Sequence, residues 1–520
     1  MKLSPEQLET LSPERRALLQ KRLAERTGAR RATRAVADVP PRRGDGPVPL
    51  SFAQQRLWSI QRLDPRSPAY NMPAGLRLRG PLDVRALRRA LDEIVRRHEA
   101  LRTVFAAPPG GEAVQTVRPP APVPLPAVDL SALRPEGRER ELSRHARGES
   151  LHPFDLERGP LLPSALLRLA PTDHAVLFTL HHIVGDGWSV GVLTREVSAL
   201  YAAFAAGLPS PLPELPVQYP DYAAWQREHV SGRRLEEQLE TWKRRLAGAP
   251  PLLELPTDRP RPAVEQSAGA RLTFCLSPEL SAATCALARR EGATPFMVLL
   301  AALQLVLGRW AGQDDVVVGS PFAGRPRVEL EGLIGLFVNT LPLRADLSGD
   351  PSARGLLARV RATVLEAQSS QDFPFERLLG EVQPERAPAH SPVFQVLVAL
   401  QSVDSGGVRL GAALEVEPLP VAFTTARFDL SWAMEERPEG IRGAVTYRSG
   451  LWDEATVARM VDDLRTVLAA MAAHPDAPVS RIELPTGGGP PRATCPEGRR
   501  VEDEELAGEV GWTSPDRAEG

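Results

Sequence analysis

The stretch His174–Gly207, HAVLFTLHHIVGDGWSVGVLTREVSALYAAFAAG, changes its period halfway along. HAVLFTLHH is an apolar run of β-favouring residues and reads as a strand. Beyond Gly185-Asp186-Gly187, the residues Leu193, Val197, Leu200 and Phe204 recur at helical spacing, and Gly207 offers a stop. The stretch is therefore a strand, a tight loop and a helix N-terminus. The strand ends in two adjacent histidines, and the loop holds an aspartate four residues after the second, in a chain with nine histidines among 520 residues.

Three chemistries compete for that pair. On a strand, successive side chains alternate faces, so His182 goes with Val176, Phe178 and Leu180, and His181 with Leu177 and Thr179. Rings that diverge do not easily grip one metal ion, and no clear third ligand stands nearby. Two satisfied core histidines are the second reading. The third is acyl transfer: glycines allow the tight turn, and the helix N-terminus favours developing negative charge. An imidazole facing backbone N–H groups suits a base that takes a proton while an oxyanion forms. The third is preferred.

The same alternation of elements extends in both directions. LDVRALRRALDEIVRRHEALR places Leu87, Leu91, Ile94 and His98 on one helical face, with Asp83 as a cap. The proline-rich AGAPPLLELPTDRPRPA separates a second half, where ARLTFCL, DDVVVGSPF, LIGLFVNTLPLRADL and PVFQVLVAL read as strands. TPFMVLLAALQLVLGRW and DEATVARMVDDLRTVLAAM read as helices, and FDLSWAMEERPEGIRGAVTYR as a hairpin around RPEG. The expected division is a charged helical leader and linker over 1–47, mixed α/β lobes over 48–250 and 251–483, and a disordered tail over 484–520. Two lobes of this size fit the usual range for domains.

Composition narrows the function. The 63 basic and 65 acidic residues balance, so charge argues for no nucleic acid or membrane partner. The N-terminus MKLSPEQLETLSPERR lacks an apolar signal core, and PFMVLLAALQLVLGRW is interrupted by Gln304, so a soluble cytoplasmic protein is expected. Cys275, Cys285 and Cys495 are too scattered for a disulfide framework or zinc site and read as incidental thiols.

With HHIVGDGWS in place, six further stretches follow the order of one family: SFAQQRLWSI, RHEALRTVF, YPDYAAW, IGLFVNTLPLR, QDFPFE and SPVFQV. Together they resemble the condensation domains of nonribosomal peptide synthetases, over about residues 48–480. An Arg-Asp pair that often precedes the last motif is replaced here by ERAPAHSPVFQV, which bears on subtype more than on activity.

The resemblance implies an α/β fold of two chloramphenicol acetyltransferase-like lobes set as a V, with the histidines in a tunnel at their junction. It implies amide formation between an acyl or peptidyl thioester and the amine of an aminoacyl thioester. Both would ride on the phosphopantetheine of carrier proteins, donor and acceptor, with no cofactor held by the chain itself. By the same resemblance His182 is catalytic, His181 supports it, Asp186 is structural through an arginine, and Gly187 offers its backbone to the reacting carbonyl. Arg344 and Arg102 are the arginines to test, and Trp188, Ser189 and Asn339 support the site.

The intact histidines argue against the heterocyclisation relatives, and GLFVNTLPLR against epimerisation. Condensation onto a free amine or alcohol stays open, as does a non-catalytic recruitment module, although such modules typically have a degraded histidine motif. The histidine and YPDYAAW regions look most like members that take an L-configured donor. No adenylation loop and no carrier-type GGxS serine is found. A free-standing monomer meeting its carriers in trans is therefore expected, or else a piece of a larger enzyme.

Overall fold

The computed structural model describes residues 39–485, apart from 45, 264–266, 383–389, 403–409, 411–413 and 420–424. The expected helical leader before residue 39 and the tail beyond 485 lie outside the described residues.

In the first half a five-stranded sheet runs in the order Glu415–Pro418, Asn71–Arg79, Asp173–His181, Ser164–Ala170, Ala127–Asp129. Every pair is antiparallel except the last. Two helices, Val84–Arg97 and Gly187–Ala205, pack together in this half and bury their apolar stripes. Asp83 caps the first as its pattern predicts, accepting from the N–H groups of Arg85 and Ala86. Gly207 ends the second in the left-handed region at φ 73°.

The second half centres on a six-stranded sheet ordered Asn339–Asp346, Asp315–Phe322, Val396–Ser402, Leu430–Arg437, Gly440–Arg448, Gly269–Cys275. The RPEG hairpin joins Leu430–Arg437 to Gly440–Arg448, with Gly440 at φ 132° supplying the turn. The helix Pro295–Ala311 is buried from Met297 to Gly308. Gln304 in its middle donates Nε2–H to the Leu343 carbonyl at 3.0 Å, while its buried Oε1 finds no partner among the described residues.

Four expectations need correction. Leu333–Val338 is not strand: only Asn339–Asp346 pairs in the sheet. Ile334, Leu336 and Phe337 pack instead into the core of the first half, where an apolar run lowers its free energy as well as in a sheet. The cores also do not divide at residue 250. The helix Gly232–Leu246 buries Trp242 and Leu246 in the second core, while Glu415–Pro418 completes the first sheet. The linker expected to run to residue 47 is already packed on the protein over residues 39–44, with Val39 buried and Arg42 within 2.7 Å of Glu99 and 3.0 Å of Asp221. Finally, Cys275 is disulfide-bonded rather than an incidental thiol.

Candidate active site at the seam between the halves

His181 closes its strand, and His182 opens a single 3-10 turn, His182–Val184. The strand thus hands the two rings to different surroundings. The Nδ1 of His181 accepts from the Ile183 N–H at 3.1 Å, so the proton of this neutral ring sits on Nε2. The Phe154 ring meets it edge-on at 5.3 Å. His182 is fixed by its backbone, donating to the Tyr70 carbonyl at 2.9 Å and accepting from the Gly185 N–H at 3.3 Å. The Tyr70 ring stands edge-on to it at 6.5 Å. Its Nδ1 is sealed from solvent, yet the residue keeps part of its surface accessible.

Burial, and then the charge of Arg427, push the pKa of His182 down to about 3; the carbonyls of His182 and Gly185 pull weakly the other way. Burial, with His182 beside it, likewise takes His181 to about 3. Both rings are neutral at neutral pH. On unfolding, each regains an ordinary value near 6.5, so below that pH the unfolded chain binds more protons. Their contribution to stability is complete above pH 6.5 and is lost as pH falls toward 3. Urea unfolding at pH 5.0 is expected to give a lower stability than at pH 7.5, by up to about 2 kcal/mol per ring. The double variant His181→Gln/His182→Gln should flatten that difference, and an undiminished difference would refute it.

Asp186 joins the halves. Its Oδ1 accepts from the Ser189 N–H at 2.8 Å, the Ser189 hydroxyl at 2.7 Å and Arg325 at 3.1 Å. Its Oδ2 accepts from the N–H groups of Phe337 at 3.0 Å and Val338 at 3.2 Å. The carboxylate therefore caps the helix that follows and replaces the ladder bonds that the segment before Asn339 lacks.

The arginine partner is Arg325, neither Arg344 nor Arg102. Arg325 also donates to the carbonyls of Leu330 at 2.6 Å and Leu333 at 2.7 Å, and lies 4.0 Å from the centre of the Phe337 ring. Arg344 is held bidentately by Asp315 at 2.8 and 2.7 Å, about 17 Å along the strand from Asn339. Arg102 donates to the Arg118 carbonyl and lies 3.6 Å from Glu99. The missed signal was Gly324 in AGRPRV: it has φ 63°, and a Cβ there would sit 1.9 Å from the Phe337 carbonyl oxygen. Only glycine lets the two backbones cross so closely beside Arg325.

Residues of five other motifs meet at this seam. Tyr219 donates its hydroxyl hydrogen to the Leu336 carbonyl at 2.7 Å and lies 2.8 Å from the Ser51 hydroxyl. His98 accepts from the Ile334 N–H at 3.3 Å and contacts Glu196 at 2.8 Å. Asn339 donates to the carbonyls of Gln371 at 2.8 Å and Phe373 at 2.6 Å, pinning the QDFPFE stretch. Ser189, through Gly335, and Trp188, through the Glu331 carbonyl at 2.8 Å, tie the helix to the second half. Gly187 is exposed at the first position of that helix. One cavity borders the seam, lined by Trp225, Gly324, Arg327 and Leu330, and another lies away from it beside Trp242 and Arg344.

The model of the condensation domain family matches residues 45–488. The chondramide synthase of Chondromyces crocatus is 46% identical over 454 residues, 87% of this chain. The phosphinothricin tripeptide synthetase PhsC of Streptomyces viridochromogenes is 43% identical over 471 residues, 89% of this chain. The chain spans only 12% and 42% of the length of those two relatives. Among solved structures, the X-domain in its complex with OxyB from teicoplanin biosynthesis superposes with a TM-score of 0.78 at 29% identity. That match covers 87% of this chain and 99% of the other. With six of its seven motifs meeting at one seam of an α/β fold and the family model spanning residues 45–488, the chain belongs to the condensation domain family of nonribosomal peptide synthetases.

Proposed function

We propose that the protein forms an amide bond between an acyl or peptidyl thioester and the amine of an aminoacyl thioester, each held on the phosphopantetheine arm of a carrier protein. The observation that supports this best is a neutral, partly accessible His182 on a loop bolted to both halves through Asp186. The amine nitrogen attacks the thioester carbonyl, and the C–N bond forms as the C–S bond breaks. One proton leaves the nitrogen through the imidazole and ends on the departing thiolate. Gly187, at the helix N-terminus, would donate its backbone N–H to the carbonyl oxygen as charge grows there. Thioesters are already activated, so positioning two reactants and moving one proton is sufficient catalysis.

An α-amino group has an ordinary pKa near 8, well above that of His182. The imidazole therefore takes the proton only once nitrogen has begun to bond to carbon and its acidity has risen. The chain is expected to make amide product from carrier-bound thioesters supplied in trans, and none from free amino acids with ATP. Intact-mass measurement of the carriers tests both arms, and product from free acids and ATP would overturn the assignment.

A second reading, a recruitment surface without turnover, draws support from the match to a domain solved in complex with OxyB. The same assay separates the two, since a recruitment surface leaves loaded carriers unchanged.

A further inference from the structure

Arg427 precedes the strand Leu430–Arg437 on a backbone held from both sides. The Ala426 N–H donates to the Ser267 carbonyl at 2.8 Å, and the Arg427 carbonyl accepts from Arg448 at 3.2 Å. Two residues on, buried Asp429 is gripped by Arg261 at 2.5 Å and Arg448 at 3.3 Å. From this base the Arg427 guanidinium reaches the Tyr70 ring, 5.5 Å from its centre, and that ring is the one standing edge-on to His182.

The residue is exposed, yet protein surrounds it closely enough that desolvation lowers the pKa of its guanidinium. Its exposed surface and the Tyr70 ring beside it put the guanidinium within reach of a group brought to His182. The other cation whose charge acts on His182, Arg56, has Glu376 at 4.0 Å. Among the described residues Arg427 has no carboxylate partner; its surroundings offer Tyr70 and the like charge of Arg56. A desolvated, reachable, uncompensated guanidinium is a strong receptor for a planar anion.

We propose that Arg427 is a specificity-determining residue, pairing with a carboxylate carried on one of the two groups to be joined. The inference rests on the amide-forming reading and names a substrate class for it: an acidic acyl donor or an acidic aminoacyl acceptor. A charge-assisted hydrogen bond to such a group discriminates against its neutral isostere by about 10- to 100-fold.

Calorimetric binding to the full chain tests this without turnover. One arm compares succinyl-pantetheine with butyryl-pantetheine, and the other aspartyl-pantetheine with asparaginyl-pantetheine. In one arm the acidic probe is expected to bind about 10- to 100-fold more tightly, and Arg427→Gln to bring the ratio close to one. Arg427→Lys should keep part of it. Equal affinities in both arms of the unmodified protein, no binding of any probe, or a preference that survives Arg427→Gln would each overturn the proposal. Failure of amide formation from carriers loaded with acidic and with neutral groups alike would instead overturn the proposed function and leave these ratios to decide the role of Arg427.

Discussion

Replacing His182 with alanine is expected to slow amide formation between loaded carriers by about 10²- to 10⁴-fold, the worth of one positioned acid or base. In barrier height this is roughly 3 to 5.5 kcal/mol. The loop should survive, because His182 is held by its backbone N–H to Tyr70 and its carbonyl to Gly185, neither of which alanine removes. The urea midpoint at pH 7.5 should therefore stay near that of the parent while single-turnover product, read by intact mass, nearly disappears. Near-parent turnover would sink the proton-transfer role. A loss of only a few fold, with an unchanged pH profile, would leave His182 as a group that merely orients the amine.

Asp186→Ala should act in the opposite way, on stability first. The substitution removes the acceptor of five hydrogen bonds and leaves the buried Arg325 charge without its counter-ion. Breaking a buried pair from one side costs about 3–5 kcal/mol, and the lost helix cap adds about 1 kcal/mol. Denaturant unfolding should show that loss. Asp186→Asn, which keeps an acceptor but not the charge, should fall between alanine and the parent. An unchanged unfolding curve with activity abolished would move Asp186 from the framework into the chemistry.

Local pattern makes the elements around the site readable in the sequence. The 3.6-residue stripe over Val84–Arg97, the Asp83 cap, the stop at Gly207 and the RPEG turn all depend on neighbours a few residues away, and all stand as read. What local pattern cannot supply is the choice among distant partners. Arg325 lies 139 positions from Asp186, and nothing within AGRPRV distinguishes it from the other arginines of a chain in which arginine supplies nearly every basic residue. Leu333–Val338 failed for a related reason. A short apolar run has the same composition whether it pairs in a sheet or wraps onto another core. At the site, the strand, tight turn and helix start read from HHIVGDG are there, but only His181 stays on the strand while His182 opens the turn before Asp186. The contacts through Tyr219, His98 and Asn339 were visible as motifs but not as one meeting point.

The placement of Glu415–Pro418 at the border of the first sheet has a consequence for biosynthesis. Asn71–Arg79 and Asp173–His181 can pair as soon as both have left the ribosome, but the outer side of Asn71–Arg79 stays open until residue 418 follows. At about 5–20 residues per second, that wait lasts roughly 12–45 s. Throughout it, the nascent chain presents an unpaired strand border, the template on which chains mispair with one another. Vectorial synthesis thus sets a time window in which yield depends on shielding by a chaperone, and any fragment cut before residue 415 carries that open border permanently.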